Sequence, residues 1–569
     1  MGLPSREPHV LGNSDLTSFD ALVIGSGAGG SAASYVLATR GKKVLILETG
    51  NNYFPGLDDP ASGQPVPLFR NDELKDERYV IEQDPLLEPR TFRQTESDGD
   101  RIMAGDVNGL PKTVGGGAVH ADMKYPRFQA WDFHLASELG LVSGANFADW
   151  PLTYEELEPF YTEVEAVVGV QGEDGSDPFA PPRSRPYVMP PGPPMYVALL
   201  AAKGAEKLGY HPFPYPTAVN SRPYRGRPPC VDCGFCAGYG CPNNSKGSPA
   251  VTFLRDALLT GNCQLRYNTT VTRLIAGGGS VTAVEYTGPD GRGEQATADL
   301  FILAASPIED ARLCLLSDPN GPGLGNSSGA VGRNLMFHLQ TIGVGIFDQR
   351  VHGHRGRAVT HGMSDFRGVP GDPTRPLGGI IEFGAASEPI SEAKTYALTL
   401  AQRGDQLKDF MQQSPLRDHL MGLTMQAEDA PQLSNYVDLD PAVRDVYGLP
   451  AARITYKSHD WELAAREFYA PKLIELVERA GARFGFVAPR DVPPSSRHIM
   501  GTLRMGGDPS SSVCDAFGKF HDLDNLYCAD GAVFVTSSGY NPTLTIQALA
   551  LRTAANIVFP GSPERALRA

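Results

Sequence analysis

The N-terminal part of the chain contains two short apolar runs separated by small residues. Ala21–Ile24 is continuously apolar, as expected for a buried parallel strand, and Val44–Leu47 repeats the pattern. Residues 31–39 between them are mostly small, which lets a helix pack closely on a sheet, and Gly41 is suited to end that helix. The pattern predicts a strand, a helix and a second, parallel strand.

The turn between the first strand and the helix carries the pattern G-x-G-x-x-G at Gly25, Gly27 and Gly30. The first glycine makes a tight turn, the second lets the backbone approach a pyrophosphate, and the third permits close contact between helix and strand. Glu48 ends the second strand, where its carboxylate can accept hydrogen bonds from ribose hydroxyls. These residues predict a dinucleotide-binding unit and leave NAD and FAD open as its ligand.

The later patterns add strands and helices on both sides of a long variable region. Residues 300–305 form a strand-length apolar run, and residues 543–557 have helical spacing after Pro542, which suits a first helical turn. Between about 345 and 490, VDLDP and ARITYKS are strand candidates, and residues 461–480 have helical spacing. The mixture predicts an α/β protein with a Rossmann-like domain and an α+β second domain.

Charge and composition narrow the function classes. Among 569 residues, 50 Lys and Arg stand against 65 Asp and Glu, a net charge of −15. We expect no nucleic-acid partner, because neutralising phosphates requires clustered basic residues. The 63 glycines and 48 prolines predict many turns and long ordered loops, which commonly enclose a cofactor or a pocket in enzymes.

Targeting signals are not recognisable in the sequence. The first 20 residues have no apolar segment after their few charges, so we expect no secretory signal peptide. No run of about 18 apolar residues occurs, which predicts no membrane span. We therefore expect a cytoplasmic location.

Several motifs, in a fixed order, resemble one family of flavoenzymes. They are VGGGAVHADMKYPRFQAWDF at 114–133, DWPLTYEELEPFY at 149–161, LFILAASPIEDARLCLLS at 300–317, VGRNLMFH at 331–338, and SRHIMGTLRMGGDP with LYCADGAVFVTSSGYNPTLTIQALALR within 496–557. With the N-terminal glycine pattern, they resemble the glucose-methanol-choline (GMC) oxidoreductases, FAD enzymes that oxidise alcohols. The resemblance covers nearly the whole chain, most weakly between about 345 and 430, and implies FAD rather than NAD.

The resemblance implies two interleaved domains. The Rossmann-like FAD-binding domain is expected to be assembled from four segments, residues 15–55, 100–150, 250–340 and 490–560. Residues 56–99, rich in Asp and Pro, are expected to form a lid over the flavin. The sheet-and-helix substrate domain then comprises residues 151–249 and 341–489.

His498 is the residue that the resemblance assigns as catalytic base. It lies in H-x-x-G-T-x-R-M-G, where the family uses a His to take the hydroxyl proton while flavin N5 accepts the hydride. The second family position is Asn541, and because an amide exchanges no proton, its expected role is a hydrogen bond to the substrate oxygen. The resemblance also implies that the helix after Pro542 points its N-terminus at the flavin, with Asp530 and Gly531 as further cofactor-binding residues.

A glycine loop and one histidine form a second predicted contact with the flavin. Gly115, Gly116 and Gly117 are expected to wrap the pyrophosphate or the ring, since only glycine backbone tolerates such close approach. His120 occupies the position at which some family members attach the flavin covalently, although the two residues after it depart from the usual motif. Covalent attachment through His120 and an ordinary contact with non-covalent FAD both stay open.

Four cysteines lie within twelve residues. Cys230, Cys233, Cys236 and Cys241 follow C-x2-C-x2-C-x4-C-P, one residue longer than a ferredoxin-type iron–sulfur run. Such clustering in a reducing compartment indicates a metal more often than disulfides. An iron–sulfur or other metal site, disulfides, and free thiols in a glycine-rich loop all stay open.

The activity implied by the resemblance is FAD-dependent oxidation of a small-molecule alcohol to a carbonyl compound. A sugar, glycoside or polyol is the first expectation, because the C-terminal motifs and Asn541 resemble the sugar-dehydrogenase branch. A sterol or long-chain alcohol is the alternative substrate, and a non-redox flavin lyase, a photodecarboxylase and a two-domain NAD protein are the alternative classes. Oxygen, a quinone or a redox partner protein is expected to accept the electrons.

Overall fold

The chain combines helices with runs of consecutive strands. The computed structural model describes residues 10–59, 89–99, 101–102, 111–234, 236–384, 392–393, 396–397, 400–489 and 496–567. The helices are α1 Ala28–Thr39, α2 Leu135–Leu139, α3 Tyr154–Val168, α4 Tyr196–Lys207, α5 Phe253–Leu259, α6 Pro307–Ser317, α7 Gly404–Gln413, α8 Pro415–His419, α9 Asp460–Arg479 and α10 Thr543–Val558. None of these described helices combines the length and the apolar character that a membrane crossing requires.

The strands of the described residues form four sheets. They are β1 Val10–Gly12, β2 Ala21–Ile24, β3 Val44–Leu47, β4 Arg90–Arg93, β5 Arg101–Ile102, β6 Phe213–Pro214, β7 Cys263–Arg266, β8 Thr270–Gly277, β9 Ser280–Thr287, β10 Gly293–Ala296, β11 Leu300–Leu303, β12 Leu339–Ile346, β13 Val359–Met363, β14 Ile381–Gly384, β15 Leu420–Ala427, β16 Tyr436–Arg444, β17 Pro450–Thr455, β18 Phe484–Val487 and β19 Leu526–Cys528. The orders are β1-β7-β3-β2-β11-β19, β18-β12-β15-β14-β13-β6, β16-β17-β4-β5 and β10-β9-β8.

The first sheet is parallel from β7 to β19, with β1 antiparallel at one edge. Its strands β2 and β3 are buried along their whole length, as the continuous apolar runs predict for strands covered on both faces. Helix α1 follows β2 and packs against α5 and α10. This architecture confirms the predicted Rossmann-like α/β fold.

The second sheet is antiparallel and carries α9 and α4 on one face. Burial alternates along β12, as expected for a strand with one face toward a core. The strand candidates VDLDP and ARITYKS coincide with β16 and β17, and the helical spacing of residues 461–480 coincides with α9. Helix α9 packs on the antiparallel sheet, whereas β16 and β17 belong to the sheet β16-β17-β4-β5. Their assignment to one substrate domain stays a prediction.

The parallel sheet collects strands from distant parts of the sequence. Strands β2 and β3 come from the N-terminal segment, β7 and β11 from the middle, and β19 from near the C-terminus. The exact domain boundaries stay a prediction. Of the predicted lid, residues 60–88 lie outside the described residues, while β4 within it pairs in parallel with β17.

The first turn of α1 lies unusually close to the sheet because it consists of small residues. A Cβ added to Gly29 would lie 1.7 Å from the carbonyl oxygen of Ala529, and one added to Gly30 would lie 2.0 Å from that of Gly25. Gly25 also adopts φ +98°, a conformation that side chains other than glycine rarely tolerate. The glycines therefore set the distance between the start of the helix and the ends of β2 and β19.

We expect Gly29→Ala to destabilise the protein. The methyl group gains about 1 kcal/mol of helix propensity, but overpacking against the Ala529 carbonyl costs about 1–3 kcal/mol or more. The net loss should lower the midpoint of thermal unfolding. Gly277→Ala is the matched control, because a Cβ there meets nothing within 4 Å, and equal midpoints for the two variants would contradict this account.

Candidate active site

A cavity of about 660 Å³ opens where the strands of the parallel sheet end. Ile24, Leu47 and Ala304, at or just beyond the ends of β2, β3 and β11, contribute to its wall, the usual place for a ligand in an open parallel sheet. Gly30 and Gly115 are not part of the lining. The predicted site residues that line the cavity are Gly25, Gly27, Glu48, Gly116, Gly117, His120, His498, Asp530, Gly531, Asn541 and Pro542.

Glu48 joins the two glycine loops through Ser26. One carboxylate oxygen, Oε2, accepts hydrogen bonds from the Ser26 amide at 2.8 Å and the Ser26 hydroxyl at 2.6 Å. The other, Oε1, accepts from the Gly50 amide at 2.7 Å, and the Ser26 hydroxyl in turn accepts from the Gly115 amide at 2.9 Å. Oε1 keeps a lone pair that can accept a ribose hydroxyl, as the sequence predicts.

The two glycine loops are in contact at the N-terminus of α1. A Cβ on Gly116 would lie 2.6 Å from Cα of Gly27, and the backbone of Gly116 has φ +64°. Helix α1 begins directly after Gly27 without a side-chain cap, so the first-turn amides stay available to a ligand. The loops thus form a backbone cradle without side chains, which fits a pyrophosphate at a helix N-terminus.

Asp530 connects the loop after β11 with the loop after β19 through hydrogen bonds. Its two oxygens accept the amides of Ser306 and Ala532, each at 2.8 Å. The carboxyl of Asp310, which accepts the Ala305 amide at 3.0 Å, lies within 4.8 Å of that of Asp530. Burial and the neighbouring carboxylate raise the pKa of Asp310 well above its usual range, so it holds a proton.

Helix α10 begins at the wall of the cavity. Pro542 precedes its first residue and makes no side-chain cap, and Pro542, Thr543 and Ile546 line the cavity. The positive end of the helix dipole therefore faces the cavity.

His498 is hydrogen-bonded to a second histidine. The two Nδ1 atoms of His338 and His498 lie 2.8 Å apart, and Nε2 of His338 lies 3.2 Å from the carbonyl oxygen of Ser537. A carbonyl only accepts, so His338 carries its proton on Nε2 and its Nδ1 accepts from Nδ1–H of His498. This arrangement leaves Nε2 of His498 as an unprotonated nitrogen.

Both rings are neutral near pH 7. Burial lowers the pKa of His338 to about 4. Burial, together with His338 and the cationic Lys124, lowers the pKa of His498 well below its usual value. A proton accepted by His498 during a reaction can therefore be returned readily.

Asn541 is held by hydrogen bonds to two side chains, Tyr215 and Glu382. Its Oδ1 accepts from the Tyr215 hydroxyl at 2.6 Å, and its Nδ2 donates to Oε1 of Glu382 at 3.0 Å. Nε2 of Gln426 donates to the same Glu382 oxygen at 3.1 Å, and the Lys124 ammonium lies 2.6 Å from Oε2. Asn541 keeps one N–H donor for a ligand.

The cysteine segment lies next to His120. The amide of Gly238, between Cys236 and Cys241, donates to the carbonyl oxygen of His120 at 3.1 Å, and residues 237–239 line the cavity. All four cysteines, which the described residues include, are free of disulfide bonds, and no three of their sulfurs lie within 4.8 Å of one another. Metal binding by these thiols stays a prediction, as does covalent attachment of flavin to His120.

The comparisons with known proteins identify the family. Residues 191–340 and 431–550 match family models described as GMC oxidoreductase, and residues 23–57 match the NAD(P)-binding Rossmann-like domain. The 2-methyl-1,2-propanediol dehydrogenase of Mycolicibacterium austroafricanum is 31% identical, with 94% of both chains covered. The chain belongs to the GMC oxidoreductase family. It is therefore an oxidoreductase, and the family's dependence on FAD confirms the predicted cofactor.

Other relatives and solved structures agree with this assignment. The gluconate 2-dehydrogenase flavoprotein of Pantoea cypripedii is 28% identical to this GMC oxidoreductase, with 96% of this chain and 94% of the relative covered. Paromamine 6'-oxidase of Streptomyces fradiae is 30% identical, with 94% and 90% covered. Formate oxidase of Aspergillus oryzae RIB40 has a TM-score of 0.64 at 15% identity, with 97% and 100% covered, and thus shares the fold.

The residues of the cavity fit FAD. The side-chain-free cradle suits the pyrophosphate, Glu48 suits the adenosine ribose, and the start of α10 suits the edge of the flavin ring at which negative charge develops on reduction. FAD, when bound, supplies a two-electron acceptor.

Sequence patterns do not single out four residues that the structure brings into the site. His338 closes the motif VGRNLMFH and Lys124 lies within the motif at 114–133, so both were visible as part of the family resemblance but without a role. Glu382 falls in the weakly recognisable region between about 345 and 430, and Tyr215 lies in a proline-rich stretch. Their roles depend on hydrogen bonds between residues far apart in the chain, which no local pattern encodes.

Asp310→Asn should preserve the fold and the bound FAD, because an amide replaces a carboxyl that is already neutral. Since the raised pKa of Asp310 makes the wild type lose stability as pH rises, the stability of the variant relative to wild type should increase as pH rises above the usual aspartate pKa of about 3.9. Denaturant unfolding at several pH values measures the stability difference, and the flavin-to-protein absorbance ratio measures the bound FAD.

Asp530→Asn is the matched comparison. This substitution replaces one of the two oxygens of Asp530 that accept buried backbone amides with an NH2 group. We expect it to lower the free energy of unfolding by about 1–3 kcal/mol and to reduce the FAD content. Equal behaviour of the two variants would show that the proton does not reside on Asp310.

Proposed function

We propose that this protein oxidises a CH–OH group of a polyhydroxylated alcohol to a carbonyl, with His498 as the base. The observation that carries the proposal is the hydrogen bond from His498 to His338, because it leaves Nε2 of His498 free to accept a proton. The lowered pKa of His498 keeps this nitrogen unprotonated at neutral pH.

The side chains beside the base act on the same substrate oxygen. Nε2 of His498 accepts the hydroxyl proton, and the N–H of Asn541 that is not given to Glu382 donates to the oxygen. Tyr215 and Glu382 hold the amide of Asn541 in the orientation that this requires. The positive end of α10 favours negative charge at this end of the cavity.

The wall of the cavity near the base favours a substrate with several hydroxyl groups. Gln340, Gln426, Asp122 and Lys124 line it, and such groups exchange hydrogen bonds with a polyol. These groups already have partners in the protein, but each keeps further donors or acceptors that a sterol or a long alkyl chain would bury without a hydrogen bond, which costs free energy. The relatives named for a propanediol and for gluconate support the same class. We therefore favour a sugar, glycoside or polyol over a lipophilic alcohol.

Anaerobic mixing of the holoenzyme with sugars, glycosides, polyols and long-chain alcohols tests this function. We expect a polyhydroxylated compound to bleach the oxidised flavin absorbance. Bleaching by long-chain alcohols alone would overturn the substrate class, and intact flavin that no alcohol bleaches would favour a lyase or photodecarboxylase. Oxygen, a quinone or a partner protein added to the reduced enzyme then identifies the acceptor, and acid precipitation shows whether the flavin stays attached to His120.

His498→Ala should lower kcat by about 10²–10⁴-fold, the usual contribution of a general base, while FAD stays bound. In the wild type, loss of kcat/KM on acidification should occur below the usual histidine pKa of about 6.5, because the protonated base is inactive and its pKa is lowered. His211→Ala is the control, since His211 is exposed and paired with Asp365. A fully active His498→Ala variant would exclude the base assignment.

His338→Leu should reduce kcat more than it changes KM, because the ring of His498 then loses the partner that fixes its tautomer. A wrong tautomer can cost about 10⁴-fold in a comparable histidine site, and we expect about 10²-fold here. His338→Gln offers an oxygen acceptor to Nδ1–H and should restore part of the activity. Stopped-flow flavin reduction measures both variants, and equal losses would indicate a role of His338 in packing alone.

A further inference from the structure

Lys124 is a positive charge held in place within the cavity. Its side chain is 16% exposed, and Nζ lies 2.6 Å from Oε2 of Glu382 and 3.0 Å from Oδ2 of Asp122. These two contacts use two of the three N–H donors of the ammonium group. Lys124 lines the same cavity as His498 and Asn541, so the third donor is available to a substrate.

Glu382 places this ammonium group beside the amide of Asn541. One oxygen of its buried carboxylate accepts from Asn541 at 3.0 Å, and the other is 2.6 Å from Nζ of Lys124. Because both oxygens belong to one carboxylate, the two donors flank the same side chain. This shared partner is the basis for expecting one substrate oxygen to contact both the free N–H of Asn541 and Lys124.

Lys124 stays charged at any working pH. Burial alone would lower its pKa, but the carboxylates of Glu382 and Asp122 outweigh burial and raise the pKa above its usual value. After burial and His338, the same cation also lowers the pKa of His498, because a nearby positive charge disfavours the protonated ring. Two carboxylates therefore maintain a cation where the alcohol is deprotonated.

We propose that Lys124 is a further catalytic residue, whose third N–H donates to the substrate oxygen while His498 removes the hydroxyl proton. The inference rests on the proposed function. As the O–H bond breaks, its proton passes to Nε2 of His498 and negative charge develops on the oxygen. Lys124 keeps its three protons and stabilises that charge, and the low exposure of its side chain strengthens this stabilisation.

A binding role for Lys124 predicts a different result. A donor to another hydroxyl of the substrate would lower KM and leave kcat unchanged, because it would interact equally with ground state and transition state. The position beside the Asn541 amide favours an effect on kcat.

Lys124→Met in the holoenzyme tests the proposal by anaerobic stopped-flow reduction of the flavin. We expect the limiting rate to fall by about 10²–10³-fold, the usual cost of removing one donor to a developing oxyanion. The acidic limb of the pH profile should also move to higher pH, because loss of the cation relieves the lowering of the His498 pKa. Lys203→Met, at an exposed position of α4, is the matched control and should change neither quantity.

Two further variants distinguish loss of the Lys124 charge from misfolding. Lys124→Met combined with Glu382→Gln removes both charges of the buried pair and keeps an oxygen that can accept from Asn541. Lys124→Arg retains the charge and should recover part of the rate. FAD content and the thermal midpoint are measured for each variant, and the double variant replaces the single one if the latter loses its flavin.

Acetate serves as a probe that requires no turnover. A carboxylate oxygen can occupy the place of the developing oxyanion, so acetate should perturb the flavin absorbance of wild type. Its affinity should fall by about tenfold or more in Lys124→Met, as expected for loss of a charge-assisted hydrogen bond.

Three outcomes would overturn the role of Lys124. They are a rise in KM without loss of the limiting rate, a rate within about threefold of wild type, and acetate binding equal to that of wild type. Failure of the proposed function is distinguishable, because wild-type enzyme and Lys203→Met would then also show no flavin reduction by any alcohol.

Discussion

The cofactor end of the cavity depends on one buried carboxylate. Glu48 accepts hydrogen bonds from Ser26 and from the Gly50 amide. The Ser26 hydroxyl in turn accepts from the Gly115 amide, which holds the second glycine loop in place. A buried charge is stable only when donors surround it, and here the donors belong to the segments that must stay together. The contact between Gly27 and Gly116 follows from this restraint, so the cradle takes its shape from bonds within the protein.

The part of the cavity around Asn541 depends on the meeting of the antiparallel sheet with the start of α10. Strands β12, β14 and β15 supply Gln340, Glu382 and Gln426, while Asn541 arrives with the start of α10 from the cofactor side. Glu382 accepts hydrogen bonds from both sides. The position of the Asn541 amide therefore depends on how the antiparallel sheet and the start of α10 pack together.

Sequence patterns predict the parts of this enzyme that are local. The strand, turn and helix around Gly25, the acid at Glu48 and the helix after Pro542 each follow from residues within a short window. The family resemblance adds His498 and Asn541. The partners of these two residues escape prediction because His338 lies 160 residues from His498 and Glu382 lies 159 residues from Asn541. Hydrogen bonds over such separations depend on packing and leave no periodic trace in the chain.

The chain of hydrogen bonds behind His498 ends at a group that cannot be protonated near neutral pH, the carbonyl oxygen of Ser537. His498 can share an incoming proton with His338, but the proton has no onward acceptor in that direction. In the proposed reaction it therefore leaves through Nε2 of His498, the nitrogen that received it. The base is then ready for the next alcohol only after this proton has been released into the cavity that His498 lines.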